Sequence, residues 1–185
     1  MRFKTPGSGG VRKNRPSLRR SKTRGQAEDE KRDSFDEAKS KALDVLARRS
    51  ITAKALLEKL VEKGFAEKTS SLVVARLTTL GLINDLEFAR AFVRNRILVS
   101  PRGFFLLKRE LLGKGVPKAV AERVVSEARE DVSEVEIAEK LVEKKMRSLG
   151  GVEERRVKAR VFSFLIRKGI PASVAIQVTR KRFPG

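Results

Sequence analysis

The 185-residue chain carries 43 Lys and Arg against 23 Asp and Glu, a formal net charge of +20. An excess that large draws polyanions, so nucleic acid is the leading partner class and an anionic membrane surface the second. The chain has no Cys and no His, which excludes disulfide frameworks, thiolate or imidazole metal sites, and any Cys nucleophile or His base.

Residues 1–27 contain nine Lys or Arg, no Asp or Glu, and repeated Gly, Ser and Pro. Such a segment buries too little apolar surface to offset the entropy of ordering it, so residues 1–34 are expected to form a disordered basic arm. Its cations Arg12, Lys13, Arg15, Arg19, Arg20, Lys22 and Arg24 are candidate contacts to phosphate. The arm lacks the apolar segment of a secretory signal, and its glycines and prolines oppose the amphipathic helix of an organellar transit peptide. Charges interrupt every apolar stretch downstream, so no membrane span is expected and the cytoplasm is the expected location.

The first predicted unit, residues 35–83, places Ala38, Ala42, Val45 and Leu46 on one helical face. Leu56, Leu57, Leu60 and Val61 follow on a second helix, and Val73, Leu77 and Leu80 on a third. Thr52 suits the start of the second helix, Gly64 its end, and Ser70 or Ser71 the start of the third. The second unit, 84–131, opens on Asn84 with Glu87 three residues on, resembling a capping box, and runs through Leu86, Phe88, Ala89, Phe92 and Val93. After the break at Pro101 and Gly103, Phe104, Leu107, Leu111 and Leu112 lead to Gly115. Pro117, suited to a first helical position, opens a helix through Val120, Val124 and Val125.

The third unit, 132–185, offers Ser133 and Glu136 as a second capping box, then Ile137, Leu141 and Met146. Val157, Val161, Phe164 and Leu165 lead to Gly169, and Pro171 starts a last helix through Val174 and Val178. Each unit thus repeats an apolar pair, one variable residue, Lys-Gly and an apolar residue: Leu60 to Phe65, Leu111 to Val116 and Leu165 to Ile170, with glycines 51 and 54 residues apart. The expected fold is all-α: three tandem three-helix repeats resembling helix-turn-helix units, elongated and curved, so that function belongs to a surface.

Arg156, Arg160 and Arg167 share one stripe of the third unit's middle helix, opposite Val157, Val161 and Phe164, with Lys168 following. They form a candidate cation track for phosphates or an acidic groove, against the plainer reading of a solvated face. Arg90 and Arg94 lie one turn apart, and Arg102, Lys108 and Arg109 flank the next helix. Glu87 and Glu110 stand ready to pair with them. Arg180, Lys181 and Arg182 complement the dipole at the end of the last helix. The densest acids, Glu28-Asp29-Glu30 and Glu127 with Glu130-Asp131, sit in a linker and at a helix end, so no enzyme, cofactor, metal or small-molecule substrate is expected.

The stretch Gly81-Leu82-Ile83-Asn84-Asp85-Leu86-Glu87-Phe88-Ala89 resembles the regulatory protein RecX family, modulators of the RecA recombinase. Ala42, Leu43, Leu46 and Arg49, then Leu56 and Leu60 before Lys63-Gly64-Phe65, extend the likeness upstream. Gly103, Glu110, Leu111 and Lys114-Gly115-Val116 extend it downstream, so it covers Asp36 to Phe183. Ala55 departs where a Glu is usual, weakening a cap, and Lys168 where an Arg is usual, keeping the charge. The resemblance implies a protein that binds the RecA filament and single- and double-stranded DNA. It would inhibit filament growth, ATP hydrolysis and strand exchange in DNA repair and recombination, including the SOS response. The alternative is a helix-turn-helix DNA-binding protein, which would need a helix rich in base-reading Arg, Asn and Gln; the chain has three Asn and two Gln.

Overall fold

A computed structural model describes residues 34–148 and 154–184, and among these it contains nine α-helices and no strand. In chain order they are α1 (Phe35–Leu46), α2 (Ala53–Glu62), α3 (Glu67–Thr79), α4 (Asp85–Val99), α5 (Phe104–Gly113), α6 (Lys118–Asp131), α7 (Glu134–Met146), α8 (Glu154–Arg167) and α9 (Ala172–Arg182). They form three tandem three-helix repeats, in each of which the first two helices pack on the third.

Local chemistry sets most of the boundaries. Ser133 and Glu136 form a full capping box, each satisfying the other's backbone N–H. Asn84 caps α4 through Oδ1, which accepts from Leu86 and Glu87 N–H, while the Glu87 side chain pairs with Arg90. At each Lys-Gly turn two hydrogen bonds close a Schellman motif, for example Phe65 N–H to Leu60 O at 3.2 Å and Gly64 N–H to Val61 O at 2.9 Å. Gly81, at φ +72°, ends α3 in the same way.

Some expectations are corrected. α3 begins at Glu67, with Ala66 as its extended N-cap, so neither Ser70 nor Ser71 caps it. Ser70 is fully buried among Val73, Val74 and Leu77, and tertiary packing overrides its capping preference. Pro117 and Pro171 are N-caps at ψ 142° and 144°, one residue ahead of the first helical position. Val61, Leu80 and Leu112 are exposed, lying just past the edge of the buried stripe.

The core is divided unequally. Ala38, Ala42, Leu56, Leu60, Val73 and Leu77 close one cluster inside the first repeat. A second cluster runs continuously through the other two, from Ala89 and Leu107 to Leu141, Val161 and Val178.

The second and third repeats each grip the start of the preceding repeat's middle helix. The Thr52 hydroxyl donates to the Lys114 carbonyl at 2.6 Å and accepts from Ala55 N–H at 3.2 Å, while Asp85 Oδ1 accepts the Ala53 N–H at 2.9 Å. One joint further, Gly103 N–H donates to the Lys168 carbonyl at 2.8 Å and Glu134 Oε1 accepts the Phe104 N–H at 3.2 Å. In both joints the N–H-rich end of one helix meets the carbonyl-rich end of the next, and a carboxylate takes a remaining donor.

Candidate polyanion interface

Burial of Val157, Val161 and Leu165 against the core turns the opposite face of α8 outward, leaving Arg156, Arg160, Ser163 and Arg167 exposed. Arg160, Ser163, Arg167 and Ala159 line an open concavity of about 510 Å³ together with Lys145 of α7. The Phe164 ring lies beside it, with Lys145 Nζ 5.7 Å and Lys168 Nζ 5.5 Å from its centroid.

Burial, then Arg102, Lys144 and Arg167, push the Lys168 ammonium below the usual lysine range, and Glu110 alone acts in the other direction. Cations therefore gather where the second repeat meets the third. Glu110 is already shared between Arg96 at 3.0 Å and Arg102 at 2.8 Å. Among the described residues no carboxylate pairs with Lys144, Lys145, Arg160 or Arg167. A bound polyanion would relieve this repulsion by supplying the missing charge.

The candidates in the second repeat have a different setting. Arg90 donates to both Glu127 oxygens, at 3.0 and 3.1 Å, and to Glu87 at 3.1 Å. Its guanidinium, with Arg123 at 2.9 Å, holds the Glu127 carboxyl at about 2 and is itself raised. Lys108 bonds Glu122 at 2.8 Å and lowers that carboxyl. Arg90 and Lys108 thus brace α4 and α5 against α6, whereas the exposed Arg94 and Arg109 have no carboxylate partner among the described residues. Arg156 is engaged within the protein.

The arm candidates Arg12, Lys13, Arg15, Arg19, Arg20, Lys22 and Arg24 lie outside the described residues. Sequence reasoning passed over Lys144 and Lys145. Their signal was present as an adjacent cationic pair in the last turn of α7, but only folding brings it to the α8 stripe. No group of three or more acidic side chains that could hold a metal occurs among the described residues, and none of their helices is long and apolar enough to cross a membrane.

Comparison with known proteins adds to this geometry. Residues 84–125 match the family model for the second three-helix domain of RecX, and residues 133–183 that for the third. The chain is 37% identical over 147 residues to the regulatory protein RecX of Amycolatopsis mediterranei, covering 80% of this chain and 83% of that one. It is 35% identical over 145 residues to a regulatory protein RecX of Thermus thermophilus, covering 78% and 91%. Among solved structures, RecX from Lactobacillus salivarius superposes with a TM-score of 0.68 at 24% identity, over 80% of this chain and 95% of that one. A second crystal structure, of a regulatory protein RecX, gives 0.70 at 26% identity over 78% and 72%.

Proposed function

Since the chain belongs to the RecX family of regulatory proteins, we propose that it binds the RecA recombinase filament and DNA in the cytoplasm and restrains the filament's growth, ATP hydrolysis and strand exchange. The observation that carries the reading is the group Lys145, Arg160 and Arg167, which line one open concavity of α7 and α8 and have no carboxylate partner among the described residues. Phosphates or an acidic filament wall would supply the opposite charge. The work is steric and electrostatic, with no bond made or broken by this chain.

The test adds the protein to recombinase assembled on single-stranded DNA and follows ATP turnover. Turnover should fall at substoichiometric dose; indifference at saturating dose would end the reading. Arg160→Glu with Arg167→Glu should weaken binding to single-stranded DNA and flatten its salt dependence by roughly one unit of slope per lost phosphate contact.

A further inference from the structure

The first turn of α5 carries two adjacent aromatic residues with opposite fates. Phe104 is 2% exposed, packed in the core with the Arg129 guanidinium over its ring, whereas Phe105 is 70% exposed. Among the other described residues the most exposed aromatic is Phe35, at 37%. Helical spacing sets Arg109 one turn beyond Phe105 on the same outward face, and that side chain too is exposed. The start of α5 also adjoins the end of α8: Gly103 N–H donates to the Lys168 carbonyl, and a Cβ at Gly169 would meet Leu106. Phe105 therefore stands beside the repeat that carries Arg160 and Arg167.

Charge around α5 does not balance. The carboxylates bonded there are already engaged: Glu110 by Arg96 and Arg102, Glu122 of α6 by Lys108 at 2.8 Å, and Glu134 of α7 by the Phe104 N–H. Arg109 and Lys118 have no carboxylate partner among the described residues, although Lys118 is close enough to help lower the Glu122 carboxyl. The surplus is positive, beside an open aromatic face. A protein anchor needs a cleft that closes around it, whereas a nucleic acid base needs only a flat ring to lie on. Along a strand each base is followed by a phosphate, which Arg109 can meet. Paired bases are already stacked on one another, so only an unpaired one offers its face.

We infer that Phe105 is a stacking platform for a base of single-stranded nucleic acid, that Arg109 holds an adjoining phosphate, and that the pair favours single strands over duplex. The inference rests on the DNA-binding part of the reading above, and it adds to the α7–α8 concavity a contact that charge alone does not supply. Arg160 and Arg167 meet any phosphate backbone; Phe105 selects the unpaired one.

The experiment measures the affinity of the full chain for a thymine single strand, an abasic strand of equal length and a duplex, across salt, with Phe105→Ala and Arg109→Ala beside the wild type. Both positions are exposed, and an unchanged circular dichroism melt confirms that the variants fold. Phe105→Ala should weaken binding of the thymine strand about five-fold or more at an unchanged salt slope, while the abasic strand and the duplex change less than about two-fold. Arg109→Ala should make the slope for the thymine strand shallower by about 0.7, the share of one phosphate contact. Phe105→Trp, which places a lone indole in a chain without Trp, should keep the affinity and lose emission as the strand binds. Equal affinity of wild type and Phe105→Ala for the thymine strand overturns the platform and leaves the functional reading standing; if Phe105→Ala then loses recombinase filaments, the ring belongs to protein docking instead. An equal loss on the abasic strand also overturns it, because the ring then meets no base. A wild type that binds none of the three nucleic acids overturns the DNA part of the functional reading and the platform with it.

Discussion

At Gly64, Gly115 and Gly169 the backbone takes φ +91°, +84° and +80°, a region that side-chain-bearing residues enter at a cost of about 1 kcal/mol or more. Space distinguishes them. A Cβ at Gly64 meets nothing within 4 Å, whereas one at Gly169 would lie 2.6 Å from Leu106 Cβ. Gly64→Ala should therefore cost about 1 kcal/mol, and Gly169→Ala a further 1–3 kcal/mol for the crowding, read from urea denaturation. Equal costs would refute the close approach. Helix ending at these three glycines was legible because each follows an apolar run; the second constraint, on Gly115 and Gly169, was not, because it comes from a residue of the preceding repeat. Glu127 gives a pH-dependent counterpart. Held at about 2 by Arg90 and Arg123, its carboxylate contributes stability that is present above the ordinary carboxyl range of about 4 and disappears as pH falls through 2. An NMR titration should find it there, and in Arg90→Ala should find it moved up toward the ordinary value.

Among the helices, what proved readable was what lies within one turn. Ser133 and Glu136 are three residues apart and make the capping box that their spacing announced, and Thr52 caps α2. The beginning of α3 was misplaced because Ser70 is an excellent cap by type but is drawn into the core by Val73 and Leu77. The joints were invisible: Thr52 and Lys114 are 62 residues apart, Ala53 and Asp85 32. Thr52→Val removes the hydroxyl that both caps α2 and holds Lys114, so it should cost about 1–3 kcal/mol. Because the first repeat has a core of its own, amide exchange should accelerate in α1–α3 and much less in α4–α9. A uniform acceleration through all nine helices would show instead that the two cores unfold as one.

Across the whole molecule, the three-fold periodicity was plain in the sequence, and the sharing of one core by two of the repeats was not. Each repeat has the same apolar spacing, and only assembly decides which outer faces meet. The candidate site divided along the same line: Arg160, Arg167 and Lys168 stand out from the sequence alone, while Lys145 of α7 comes to the Phe164 ring beside Lys168 only through folding. The arm makes its own prediction. If its nine cations neutralise about five phosphates, the logarithm of DNA affinity should fall with that of salt at a slope near −4 to −5, and deletion of residues 1–27 should flatten it. An unchanged slope would remove the arm from DNA binding. The joints, finally, are keyed differently. The first needs the hydroxyl of Thr52, whereas a Cβ at Gly103 in the second would run into the Gly169 carbonyl. Excising the middle module would seat a threonine where only a bare backbone fits, so the succession of modules is written into their couplings, and shuffling them would not yield a working chain.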